Sequence, residues 1–284
     1  MIKNYLQLVR VPGIFTVFTN ILLGFLAVQK TNTDWFFLGP LLVASGFLFL
    51  AGTTLNDYFD YNIDARERPN RPLPSGAIPR KTALYLGLAF LAGANISSAI
   101  VGIQSLVLSL VITALVVSYN VKLKKIPVIG ILNISSIRFL NVILGTTVVA
   151  FSVQVIWFAV PVAIFVAGIS ILAKTETMLS SKKTGSLNII FIFITIIYII
   201  VTTFNAGTAH YVFLVLFIIA VFVPHAIYNG RISKNVQKKV SFQLLAIISL
   251  DAVLISVLSN TSYAGLVLVL YIPAYLILNK MYLT

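Results

Sequence analysis

The chain has 284 residues, of which 59% are hydrophobic and 10% charged, with a formal net charge of +13 and no cysteine. That composition excludes an ordinary soluble globular domain, and without cysteine there is no disulfide framework. In a soluble protein the positive charge would suggest a nucleic-acid partner, but in a chain this apolar the economical source of Lys and Arg is cytoplasmic loops, so no nucleic acid is expected.

Apolar runs of roughly 17–25 residues, the length that crosses a ~30 Å hydrocarbon core, recur from end to end. The first follows Lys3 and Arg10 and could imitate a signal peptide, but no convincing cleavage site follows, so it reads as an uncleaved helix. The predicted spans are 11–29, 35–55, 82–101, 104–119, 128–150, 154–173, 187–204, 210–228, 241–258 and 262–279. The ~10-residue alternating segments of a membrane barrel are absent. The fold class is therefore all-α: a polytopic bundle of nine to ten transmembrane helices forming a single domain over 1–284.

Charge sets the orientation. Eighteen of the twenty basic residues fall at the termini or in the second, fourth, sixth and eighth loops. The third, fifth, seventh and ninth loops carry none. The basic side faces the cytoplasm, and both termini lie there. The outer loops are short and the inner ones longer and polar, so function is expected at the cytoplasmic face of an integral protein of the cell membrane.

The second loop concentrates the chemistry. Asn56–Arg80 reads NDYFDYNIDARERPNRPLPSGAIPR and holds four of the seven acidic residues, Asp57, Asp60, Asp64 and Glu67. If the second span continues helically past Leu55, positions 57, 60 and 64 share a face, with Asn56 four residues before Asp60. Such carboxylates repel unless a cation sits among them, and oxygen-only donors favour Mg²⁺ or Ca²⁺ over zinc. Pro69, Pro72 and Pro74 then disfavour helix, so Arg68 and Arg71 sit on a stiff strap. Carboxylates for a metal followed by fixed guanidiniums make a receptor for a diphosphate.

These residues carry a resemblance. NDYFDYNID fits the first aspartate motif, NDxxDxxxD, of the UbiA superfamily of intramembrane prenyltransferases, and RPNRPLPSG fits the segment after it. YNVKLKK, Tyr119–Lys125, resembles the family's Tyr/Lys motif after the fourth helix. LNISSIRFLNVILG and SLDA resemble the EboC-like branch, whose acceptor would be small and polar or cyclitol-like.

The resemblance implies a UbiA-type fold with a membrane-open cavity. In it Mg²⁺ bridges aspartates and a polyprenyl diphosphate, the diphosphate leaves, and an allylic cation alkylates a small acceptor. Carried over, Asn56, Asp60 and Asp64 would be metal and diphosphate ligands, with Asp57 in support. Arg68, Arg71 and Lys124 would hold the phosphates, and Tyr119 would line the site. One motif departs: the sixth loop reads AKTETMLSSKKTGS, where the family has a second aspartate-rich motif. Either Glu176 with Lys174 substitutes, or one metal binds, or catalysis is lost. A family member that binds polyprenyl lipid without turnover, and a transporter, stay open as other readings.

Ionisable and amide side chains also lie inside spans. Arg138, Asp251 and Asn20 lie about eleven or twelve residues deep, where such groups are functional or paired. Asn20 and Arg138 are candidate substrate ligands. Arg138 and Asp251 are expected to neutralise each other, directly or through Asn141 and water. His210 and His225 are a whole span apart and share no metal, and Trp35 and Trp157 read as interfacial anchors.

Overall fold

The computed structural model describes residues 2–29, 34–149, 153–174, 182–204, 207–228, 233–258 and 261–278. All regular elements among them are helical. A short α1 (Ile2–Leu8) precedes α2 (Ile14–Val28), α3 (Leu38–Phe59), the short α4 (Tyr61–Glu67), α5 (Arg80–Val101), α6 (Ile103–Val121) and α7 (Pro127–Gly145). Then come α8 (Gln154–Lys174), α9 (Lys182–Thr203), α10 (His210–Ile227), α11 (Ser233–Leu258), α12 (Thr261–Val269) and α13 (Tyr271–Leu278). Ten helical stretches are long and apolar enough to cross a membrane, the last being α12 and α13 together. The expected spans are thus recovered, shifted at their ends by a few residues.

Exposure separates the helices into layers. Leu, Ile, Val and Phe cover the outer faces of α5, α6, α9 and α10, as for helices bordered by lipid. The interior is built on α2 and α11. α11 packs on α2, α8, α10 and α12, while α2 packs on α3, α7, α8 and α11. One apolar cluster joins α8–α12 to α2 and α7 through residues such as Phe165, Phe217 and Ile248. A second joins α2, α3, α5, α6 and α7 through Ile21, Phe25, Leu48 and Leu144.

The α2–α7 crossing is close. A Cβ on Gly24 would lie 1.9 Å from the Val142 carbonyl oxygen, and one on Gly145 would lie 2.4 Å from that of Ile21. The two glycines let the backbones touch, the usual device where helices gain nothing from expelling lipid. That approach brings the polar residues of α2 and α7, among them Asn20, Arg138 and Asn141, together in the interior.

Candidate active site

The aspartate motif is not one continuous helix. α3 ends at Phe59, and Asp60 caps it at φ −88°, ψ 4° before α4 resumes. Helical hydrogen bonds continue across the joint: the Asp60 N–H donates to Asn56 O and the Asp64 N–H to Asp60 O, both at 2.9 Å. Asp57 and Asp64 turn inward and are buried, while the Asp60 side chain stays 22% exposed.

The strap after α4 is non-helical, as the prolines require, and its turns are closed by backbone bonds such as Ile78 N–H to Pro72 O at 3.0 Å. Gly76 sits at φ +76°, a left-handed conformation that glycine adopts without cost. Leu73 and Ile78 are buried in a small cluster with Leu8, Tyr5, Tyr58 and Tyr61, which pins the strap to α1 and α4. The Arg80 guanidinium lies over the Tyr58 and Tyr61 rings, 4.7 and 5.0 Å from their centroids.

With the strap fixed, each carboxylate meets a cation. Arg71 Nη1 donates to Asp64 Oδ2 at 2.7 Å and stands 3.8 Å from Asp57 Oδ1. Lys124 Nζ lies 2.7 Å from Asp60 Oδ1 and donates to Asn56 Oδ1 at 3.1 Å. Arg10 Nη2 donates to Asp57 Oδ1 at 2.9 Å. Lys124 is delivered by the 3₁₀ turn Leu123–Lys125, which can lie on α7 because Gly130 has no side chain; a Cβ there would sit 2.9 Å from Leu123 O. Burial lowers the Lys124 pKa from the ordinary lysine value, and its bond to Asp60 opposes that shift.

Cationic side chains stand among the carboxylates of the expected metal set. Among the described residues no three carboxylate or imidazole side chains converge on one point. The charge repulsion is relieved instead by Arg10, Arg71 and Lys124. Arg10 was read from the sequence only as a topological charge. The structure holds it at φ 49°, ψ 52°, the one non-glycine residue with positive φ among those described. A strained backbone at a charged site is a mark of function, and no sequence signal announced it.

Beneath the cluster lies a cavity of about 340 Å³. Arg10, Asn56 and Tyr119 line one end, and Ser45, Arg138 and Asn141 line the other. Leu48, Phe49, Ile112, Val116, Ile137 and Val166 form much of the wall. Ser45 and Asn56 are eleven residues apart on α3, so the two ends stand roughly 16 Å apart at ~1.5 Å per residue. Tyr119 lines the cavity, and Asn120, unsuspected from the sequence, joins it in the lining.

The expected buried pair is arranged differently. Arg138 and Asp251 form no direct ion pair; Asn20 lies between them. Its Nδ2 donates to Asp251 Oδ2 at 2.8 Å, and its Oδ1 accepts from Arg138 Nη1 at 3.4 Å. Thr19 Oγ1 donates to the same Asp251 oxygen at 2.5 Å. Asn20 therefore sits behind Arg138 with both amide atoms engaged, and Asn141 is not the bridge: it donates to Val17 O and accepts from Ser45. Lys174, expected with Glu176 in place of the second aspartate motif, donates to Pro127 O at 2.5 Å and is not among the cavity-lining residues. Arg68 ends α4, its N–H donating to Asp64 O at 2.8 Å, and it too is outside the lining. Glu176 lies outside the described residues.

Comparison with known proteins gives a consistent result. The model of the UbiA prenyltransferase family matches residues 17–248. A digeranylgeranylglyceryl phosphate synthase of Pyrococcus abyssi is 48% identical over 81 residues, 28% of this chain and 29% of that protein. The synthase of Methanosphaera stadtmanae is 32% identical over 143 residues, 50% of this chain and 51% of that protein. The matched stretches thus span only about three-tenths to half of these relatives. A UbiA homologue from Archaeoglobus fulgidus bound to GPP and Mg²⁺ superposes with a TM-score of 0.64 at 17% identity, covering 88% of this chain and 99% of that one. None of these three carries an EboC name, and that finer assignment is not made.

Proposed function

The chain belongs to the UbiA prenyltransferase family, and from that premise we propose that it transfers a prenyl group from a polyprenyl diphosphate to a small acceptor at the cytoplasmic face of the cell membrane. The observation that carries this reading is the row of carboxylates, each matched to a cation, at one end of an apolar cavity. The names of the relatives agree with it: a synthase that makes a prenylated glyceryl phosphate, and a homologue holding GPP with Mg²⁺.

The donor set fits Mg²⁺: Asn56, Asp60 and Asp64 offer only oxygen, and Asp60 remains partly open to solvent. Those three residues, with Asp57 behind them, would hold the ion. Bound there, Mg²⁺ supplies positive charge to a departing diphosphate. Lys124 and Arg71, each 2.7 Å from a carboxylate of that set, would bind the phosphate oxygens. Arg10, fixed on Asp57, adds a third positive charge at the same end. The C1–O bond of the donor breaks and its electron pair leaves with the diphosphate. The apolar wall excludes water from the resulting allylic cation. The acceptor bonds to C1 and gives up a proton.

The test is diphosphate release by the purified chain from GPP in the presence of Mg²⁺ and candidate acceptors. Release that requires both Mg²⁺ and an acceptor is the expected result. Binding of GPP with no release under any acceptor would leave a lipid-binding family member in its place. Solute flux across liposomes without GPP binding would favour a transporter.

A further inference from the structure

Arg138 is 93% buried, yet its guanidinium is only partly used (7% relative exposure). Nη1 makes the one hydrogen bond, to Asn20, and the plane lies 5.8 Å from the Phe49 ring centroid. Among the described residues Nε and Nη2 have no acceptor, and neither is a fully buried atom left without a partner. The residue lines the cavity, so these donors open into it. A buried guanidinium with spare donors facing an apolar chamber is an incomplete site, completed by a ligand oxygen.

Its neighbours restrict that oxygen. Ser45 and Asn141 are already bonded to each other and to Val17 O, so the ligand must accept rather than donate. The charge is also already balanced. Asp251 is fully buried and joined to Arg138 through Asn20, and its Oδ1 has no partner. An anion placed on Arg138 would leave one uncompensated negative charge in a dry interior, which is the costly state. An uncharged oxygen would leave the pair neutral.

We propose that Arg138 is the acceptor-binding residue of the cavity, and that Asp251, acting through Asn20, restricts it to an uncharged oxygen such as a hydroxyl, ether or carbonyl in preference to a carboxylate or phosphate. The proposal rests on the prenyl-transfer reading. It assigns the donor's diphosphate to the rim and the acceptor's polar end to the far end, roughly 16 Å along α3 from Asn56 at ~1.5 Å per residue. The acceptor therefore carries its nucleophile and its recognised oxygen as separate groups.

The experiment compares two acceptor probes that differ by one phosphate group, 1-O-geranylgeranylglycerol and its phosphate ester, with GPP and Mg²⁺ and the full chain in detergent. The wild type is expected to favour the alcohol by at least tenfold in kcat/KM. Asp251→Asn keeps the hydrogen-bonding shape but leaves Arg138 unbalanced, so the ratio should move at least tenfold toward the phosphate ester. Arg138→Gln should raise the KM of the alcohol and leave the KM of GPP unchanged; if it does not fold, Arg138→Lys is read in the same way. A wild type that prefers the phosphate ester overturns the proposal. So does an Asp251→Asn protein with an unchanged ratio, or a wild type that binds GPP but uses neither probe. A wild type that does not bind GPP overturns the prenyl-transfer reading, and the subsite with it.

Discussion

Gly24→Ala tests whether the α2–α7 contact builds the far end of the cavity. The new Cβ would lie 1.9 Å from Val142 O, and ordinary contact begins at 3.4 Å, so the helices must part by about 1.5 Å. Backbone cannot give way as a side-chain tip can. The Arg138–Asn20 bond, already 3.4 Å long, would be lost, and the 3.0 Å bond from Asn141 to Val17 O would stretch beyond bonding range. Overpacking costs roughly 1–3 kcal/mol, and each lost hydrogen bond about 1 kcal/mol. Alanine returns about 0.8–1.0 kcal/mol in helix propensity, which is the smaller effect. A net loss of roughly 2–4 kcal/mol corresponds to an apparent Tm lower by roughly 3–7 °C for a chain of this size. The assay is thermal unfolding in detergent, with Gly39→Ala as control, since nothing lies within 4 Å of a Cβ there. A Gly24→Ala protein that melts with the wild type would refute the reasoning.

Asp60→Ala and Asp64→Ala are each expected to abolish Mg²⁺-dependent GPP binding, measured by thermal stabilisation; full binding in both would remove the metal assignment. For the buried pair, Arg138→Met and Asp251→Leu should each lower Tm, because breaking a buried pair costs roughly 3–5 kcal/mol. The double mutant should recover part of the loss, and strictly additive losses would show that Asn20 does not couple them. For Lys124 the pH sign is definite. Burial lowers its pKa, so the cation is lost, and activity with it, at a pH below that of an ordinary lysine. Folding stability should move the other way, rising as pH increases between the folded and the ordinary lysine values, because the unfolded chain keeps the proton longer. Lys124→Arg should extend activity to higher pH, and an unchanged alkaline limb would exclude Lys124 as the titrating group.

The membrane helices, their number and the stretch that carries the charges could be read along the chain, because each depends on local quantities. Span length follows from runs of apolar residues, and the stiffness of the Arg68–Pro74 strap from proline geometry. The motif residues Asn56, Asp60, Asp64, Tyr119 and Lys124 were legible for the same reason: they form short, continuous patterns. What each of them touches was not. Asp57 faces Arg10 from 47 positions away, and Asp251 reaches Asn20 from 231. Such pairings are set by the helix crossings, which Gly24 and Gly145 permit and which no local pattern encodes. Depth along a helix correctly placed Arg138 and Asp251 at one level, since rise per residue is constant. Rotation about the helix axis and the identity of the neighbouring helix decided that Asn20 bridges them, and that Arg138 faces the cavity. Those were decided by tertiary packing alone.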